Sequence, residues 1–149
     1  MDVIRRAEPA DLDAIRAIFR AASLANEGDR DALLAHPEVL EFAGDAVAEG
    51  RVRVAVLGAV VGFATYSPRA GAWELEDLFV DPAHMRRGVA TALVRRLQNE
   101  ADVAWIEVTA NPHAMAFYRS VGFVDGGVAA TRCGPAQRMR LSVDGAAAP

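Results

Sequence analysis

Residues Leu78 to Ala90 read LFVDPAHMRRGVA and run on as TALVRRLQNE to Glu100. An apolar strand enters an Asp-Pro turn, and a glycine-marked loop then opens a helix whose Leu93, Val94 and Leu97 share one face. Such a junction offers several N–H groups that no helical carbonyl can reach, together with the positive end of a helix dipole, about half a charge. That is an anion site, suited to a phosphate or pyrophosphate. A Gly-x-small sequence also serves plain close packing of a helix on a strand, so the loop alone leaves both readings open. A second motif, NPHAMAFYRSVGF over residues 111–123, follows about twenty residues later and weighs for the anion.

Working outward, Val3 to Arg6 alternates as a short strand, and Glu8, Pro9 and Asp11 start a helix running from about Pro9 to Ser23, with Leu12, Ile15, Ile18 and Phe19 at helical spacing. Asn26 to Arg30 reads as a polar turn. Asp31 to Phe42 reads as a second helix interrupted near His36 and Pro37, because proline breaks the ladder and restricts its predecessor. From Arg51 the period changes to two: Val52, Val54 and Val56 alternate, and Leu57-Gly58-Ala59 turns the chain into Val60 to Tyr66. Trp73 to Val80 forms a third long strand. After the helix from about Gly88 to Glu100 come a strand over Ala104 to Thr109 and a helix over His113 to Val121 closed by Gly122. Two weaker strands follow near Val124 to Ala129 and Gln137 to Leu141. The fold class is α+β, a mixed and mostly antiparallel sheet of about six or seven strands with helices on both faces. Residues 1–143 read as a single domain and 144–149 as a frayed tail.

Composition narrows the function. The chain has 149 residues, 52% of them apolar, enough for one core. The net charge of −4 disfavours a nucleic-acid partner, which a basic excess would serve, and leans toward a cationic one. All 16 basic residues are arginine. A single cysteine, Cys133, excludes an internal disulfide and a CxxC metal pair. His84 and His113 stand in helix-starting turns with no third ligand in register, so no metal site is expected. A charged start, MDVIRR, and the absence of an apolar run of spanning length argue for a cytoplasmic chain with no membrane partner.

On these two motifs the chain resembles the GNAT superfamily of acyl-CoA-dependent N-acyltransferases, over roughly Val3 to Leu141 and most specifically at ELEDLFVDPAHMRRGVATAL and NPHAMAFYRSVGF. The resemblance implies a splayed pair of central strands and acetyl-CoA as co-substrate. It places the coenzyme A pyrophosphate on the backbone amides of Met85, Arg86, Arg87, Gly88, Val89 and Ala90, with Thr91 in the same helix start. Gly88 lets the backbone approach the phosphate oxygens, and Arg86 and Arg87 can add charge. Met85 departs from the Gln or Arg usual at its position, so a side-chain contact there is lost while the N–H remains.

The resemblance further implies that the strand bearing Leu78, Phe79 and Val80 parts from the one bearing Ile106 and Val108, leaving a slot in which the pantetheine arm pairs like an added strand. Val80 makes that contact, and the N–H of Leu78 faces the thioester oxygen as oxyanion donor, a contact worth on the order of 3 kcal/mol. Tyr118 matches the family's general acid for the leaving thiolate, and Phe117 before it counts with the cofactor-binding residues; the plainer reading of Tyr118 is an aromatic packed beside Phe117 and Phe123. Asn111 matches the asparagine that bonds the cofactor, and it also suits a helix cap. For the base, Glu74 falls where several family members hold a glutamate, Glu76 shares its face by strand alternation, Asp77 lies beside them and Glu107 is a further candidate. A lysine amine, with pKa about 10.4, needs such a base far more than an α-amine near 8. Each carboxylate could equally be a solvated edge.

The expected activity is transfer of acetyl from acetyl-CoA to a primary amine, of a small molecule or a peptide, by direct attack in a ternary complex. A non-catalytic acyl-CoA-binding module of the same fold is the alternative. A nucleotide-binding protein is weaker, since GxxxxGK[ST] and GxGxxG spacings are absent. The acceptor would be set by Asn26 to Gly50 (His36 included), Ser67 to Gly71 and the hairpin around Arg132 to Arg138. The family often forms homodimers through a sheet edge.

Overall fold

A computed structural model of the chain describes residues 3–25, 27–131 and 134–143. Cys133, Arg132, Asn26 and the expected tail 144–149 lie outside them. The strands are β1 (Val3–Arg6), β2 (Val52–Leu57), β3 (Ala59–Arg69), β4 (Ala72–Val80), β5 (Trp105–Ala110), β6 (Val124–Thr131) and β7 (Gly134–Ser142); the helices are α1 (Leu12–Leu24), α2 (Glu27–Ala35), α3 (Asp45–Ala48), α4 (Val89–Glu100) and α5 (Met115–Ser120). The sheet is open and mostly antiparallel, of order β1-β2-β3-β4-β5-β7-β6. Its parallel ladder joins β4 to β5. The described residues divide into two compact units, 3–65 with 77–93 and 66–76 with 94–143.

In the first unit, β1 pairs with β2 and β2 with β3, so that alternate valines of β2 enter the core. Val52 and Val54 are fully buried there with Ile15 and Phe63, while Leu12, Phe19, Phe42 and Phe79 pack around them. The four phenylalanine rings make a chain of tilted and edge contacts, with centroids 5.1 Å apart for Phe19–Phe79 and 5.3 Å for Phe42–Phe63. Gly62 is required by a close approach: a Cβ there would lie 2.9 Å from Val89 Cγ1 and 3.1 Å from the Phe79 carbonyl oxygen. The start of α1 is fixed by Asp11, which accepts a hydrogen bond from the Glu8 N–H at 2.8 Å and a bidentate pair from Arg5 at 2.8 and 3.0 Å.

Several boundaries differ from the sequence reading. Pro9 tightens the expected first turn of α1 into a 3-10 turn, Pro9–Asp11. The polar turn expected through Arg30 is instead the start of α2, which begins at Glu27, and acidic Asp29 suits that first turn. The helix does break at His36, and a 3-10 turn, Pro37–Leu40, follows. α3 went unforeseen because four residues are too few to display a period; it buries Ala46 and Val47.

In the second unit, β5 and β7 pair over six residues and β6 pairs with β7 across a bulge between Asp125 and Val128. Ile106, Val108 and Ala110 of β5 and Met139 and Leu141 of β7 are buried by strict alternation. Trp73 of β4 stacks on Tyr66 of β3 at 3.9 Å between centroids. β3 outruns its expected end at Tyr66: the β2 pairing stops at Thr65, so Pro68 meets no demand there for the N–H it lacks. Gln98 of α4 is buried and donates to the Ser142 carbonyl at 3.0 Å. The second motif becomes a 3-10 turn, Pro112–Ala114, leading into α5, with Gly122 closing it at φ 110°.

Candidate functional site

Among the described residues, four 3-10 turns begin with proline, at Pro9, Pro37, Pro82 and Pro112. Two of them open the motifs, and both are fixed the same way. The Asp81 side chain accepts from the Ala83 N–H at 3.1 Å, and the Asn111 side chain accepts from the His113 N–H at 2.9 Å. A short polar side chain before proline thus folds back on the backbone and turns the strand's exit. The His84 ring sits 3.3 Å from Asp81, within the same turn.

In the first unit the turn at Pro82–His84 hands over to a loop of alternating hand. Met85 is extended at φ −65° and ψ 155°, Arg86 is left-handed at φ 63°, and Gly88 is left-handed at φ 77°. Among the described residues, the N–H groups of Met85, Arg86, Arg87, Gly88, Val89, Ala90 and Thr91 make no hydrogen bond. Backbone donors are nearly always paired, so a run of seven exposes a row of positive partial charge at the start of α4. Arg86, Arg87 and Gly88 are exposed, Met85 is 58% exposed, Val89 is buried, and Ala90 and Thr91 are half-buried. A Cβ on Gly88 would meet nothing, so its backbone conformation rather than space calls for glycine. Upstream on β4, Val80 is buried and Leu78 half-buried, while the Phe79 ring is committed to the aromatic core against Phe19 and Phe63.

In the second unit the parallel ladder is short. It pairs Ala72 with Trp105, Trp73 with Ile106 and Glu74 with Glu107, and among the described residues it ends there, while β5 continues to Ala110 paired with β7. The last rung sets two carboxylates opposite each other, which by itself destabilises. Arg138 of β7 relieves it. Its guanidinium holds Glu74 in a bidentate pair at 2.6 and 2.9 Å, donates to Thr109 Oγ1 at 2.9 Å and reaches Glu107 at 3.9 Å. The hydrogen bond to Glu74 and the charges of Glu74 and Glu107 raise the Arg138 pKa further above its ordinary value, against partial burial.

This pair floors an open cleft of about 570 Å³ lined by Arg69, Glu74, Leu75, Glu76, Thr109, Ala129 and Arg138. Glu76 is exposed and accepts a hydrogen bond from Ser67 Oγ. Both expected carboxylates therefore face one cavity: Glu74 has each oxygen taken by the Arg138 guanidinium, and Ser67 Oγ is among the partners of Glu76. Tyr118 is 7% exposed in α5, its ring 5.1 Å from Phe123 and 5.5 Å from half-buried Phe117. Asn111 stands exposed at its cap. Among the described residues no cluster of three His, Cys, Asp or Glu could hold a metal ion, and no helix is long and apolar enough to cross a membrane.

Sequence reasoning missed Arg138 as a site residue, although it marked the surrounding hairpin for the acceptor. Its link to Glu74 spans 64 positions, and the like-charged rung Glu74/Glu107 that calls for it appears only once the strands are in register.

Comparison with known proteins agrees with the geometry. The N-alpha-acetyltransferase RimI of Mycobacterium tuberculosis is 42% identical over 74 residues, a match covering 44% of this chain and 46% of that protein, so the chain spans less than half the length of this relative. The ribosomal-protein-S18-alanine N-acetyltransferase of Escherichia coli shares the fold at TM-score 0.68, with 23% identity over 96% of this chain and 94% of the other. The PaiA N-acetyltransferase of Thermoplasma acidophilum, crystallised with coenzyme A, does so at TM-score 0.72, with 16% identity over 94% and 98%. The family described as the acetyltransferase (GNAT) domain matches residues 47–125, across the unpaired loop, β5 and α5, and on that match over half its length the chain belongs to the GNAT N-acetyltransferases.

Proposed function

We propose that the chain transfers an acetyl group from acetyl-CoA to a primary amine by direct attack within a ternary complex. The observation that carries the donor is the row of seven unpartnered N–H groups from Met85 to Thr91, which suits the coenzyme A pyrophosphate in a way a packing loop does not. The early end of the β4–β5 ladder supports a pantetheine arm that pairs with β4 beside Val80, and the N–H of Leu78 as oxyanion donor. A solved relative of the fold holds coenzyme A.

In the reaction the amine nitrogen bonds to the thioester carbonyl carbon, the carbon–sulfur bond breaks, the thiolate takes a proton and the nitrogen loses one. Tyr118 supplies the first proton. Its phenol is buried beside Phe117 and Phe123 and belongs to the residue types that serve as general acids. Glu76 takes the second, directly or through water, since the oxygens of Glu74 are committed to Arg138; Glu74 then holds the shape of the cleft. Asn111 caps its turn and bonds the cofactor by its remaining donors.

Tyr118→Phe tests this. Turnover, read as free thiol from acetyl-CoA with an accepting amine, should drop about a hundredfold or more, while coenzyme A affinity stays within about twofold. Unchanged turnover removes Tyr118 from the chemistry. The commitment of Glu74 to an ion pair favours one second reading, a module that binds acyl-CoA and transfers nothing; tight coenzyme A binding with no thiol release across a broad amine panel would establish it.

A further inference from the structure

Three strands of the second unit meet in one side chain. In the β5–β7 register Arg138 stands opposite Thr109, one same-face step beyond Glu107, which belongs to the last rung of the β4–β5 ladder among the described residues. From there the guanidinium reaches back across β5, which lies between β7 and β4 in the sheet. It donates to Thr109 Oγ1 at 2.9 Å, comes within 3.9 Å of Glu107 and closes on both oxygens of Glu74 at 2.6 and 2.9 Å. Two strand spacings, about 10 Å, separate the outer two strands. Arginine suits that span, and its planar fork meets a carboxylate at two points where an ammonium meets it at one. The Glu74 and Glu107 side chains are 17% and 34% exposed, so water screens their mutual repulsion only in part. Without the guanidinium, the rung that ends the ladder would be its weakest, and the strands would part earlier, at Trp73 and Ile106.

Resting on the transfer reading above, we propose that Arg138 is a positioning residue for acetyl transfer: by neutralising Glu74 and Glu107 from β7, it fixes the point at which β4 and β5 part, and with it the place where the pantetheine arm begins to pair. Arg138 touches neither the thioester nor the amine. It acts through the two strands it clasps, because the arm takes up backbone pairing where the ladder stops. A ladder that frays by one rung lets the arm slide, and a small displacement of the thioester from its oxyanion donor is costly to the rate.

The test compares three variants of the whole chain. Arg138→Met keeps the bulk and removes the charge, and Arg138→Lys keeps the charge and removes the fork. Arg138→Met combined with Glu107→Gln removes the charge and the repulsion together, and lets the new amide donate to Glu74. Two readouts are taken on folded protein: calorimetric affinity for pantetheine, which needs no acceptor, and kcat with an accepting amine at saturating acetyl-CoA. Arg138→Met should weaken pantetheine about tenfold and lower kcat about tenfold or more. Arg138→Lys should recover part of both, and the double variant should return both to within about threefold of the parent chain. A residue that only stabilises the sheet would lower the thermal midpoint and leave both readouts at parent values; that result overturns the proposal, as does a folded double variant as impaired as Arg138→Met. Should Arg138→Met fail to fold, the double variant decides alone, parent-like readouts supporting the clasp and impaired ones overturning it. Pantetheine affinity that is lost and rescued in this pattern, with no amine acetylated even by the parent chain, keeps the clasp and overturns the transfer.

Discussion

Gly88 and Arg86 hold the left-handed backbone that turns the N–H groups of residues 85–91 away from any protein acceptor. A Cβ on Gly88 costs about 1 kcal/mol through φ alone, since nothing lies within reach of it. Gly88→Ala should therefore lower stability by about that amount, yet weaken coenzyme A about tenfold in a calorimetric titration, because the loop relaxes away from the phosphates. Equal affinity would detach the loop from the cofactor. Asp11 illustrates a purely structural residue: the Arg5 guanidinium, helped by the Glu8 N–H, holds its carboxyl below the ordinary value of 3.8 against burial. A depressed carboxyl stabilises fully above its ordinary pKa, and that contribution fades as pH falls through the lowered one. Asp11→Asn should cost about 1–2 kcal/mol at pH 7 in urea unfolding and lose its effect toward pH 2; a deficit that persists there would point to packing instead. Gly88 and Asp81 were legible in the sequence because their work is local. The partner of Glu74 was not, because register alone brings Arg138 to it.

The elements repeat one device, a strand that leaves the sheet through Asp-Pro or Asn-Pro, a 3-10 turn and a helix. Strong periodicity made β2, β4, α4 and β5 readable, with ends off by one residue or so. Weak periodicity hid α3 and shifted α2, and Pro68 disguised the end of β3 as a turn. Gly62 shows how tightly β3 and the start of α4 fit within the first unit: the distances to Val89 and the Phe79 carbonyl leave no room for a methyl. Gly62→Ala should destabilise by roughly 1–3 kcal/mol through overpacking, seen as a lower thermal midpoint; no shift would mean that Val89 yields freely. On the parallel ladder, the rung Glu74/Glu107 is stable because Arg138 bridges the two carboxylates, so the site where the ladder ends is held by charge rather than by further backbone pairing.

At the scale of the molecule, the chain belongs to the GNAT N-acetyltransferases, and its net charge is −4. The two motifs and the cleft were unequally readable. The motifs are short, contiguous and tied to backbone geometry, which a sequence displays. The cleft gathers side chains from β3, β4, β5, β6 and β7; Glu74 and Glu76 stood out in their own stretch of sequence, but that they share a cavity with Thr109, Ala129 and Arg138 depends on the pairing of distant strands. The decisive question is whether the loop from Met85 to Thr91 binds a pyrophosphate. Calorimetric titration of the whole chain with coenzyme A and, separately, with pantetheine, which has the arm but lacks the pyrophosphate, answers it. Coenzyme A should bind with measurable heat and at least about tenfold more tightly than pantetheine, the gap narrowing in Gly88→Ala. No heat with coenzyme A, or equal affinity for the two, would contradict the assignment of the donor.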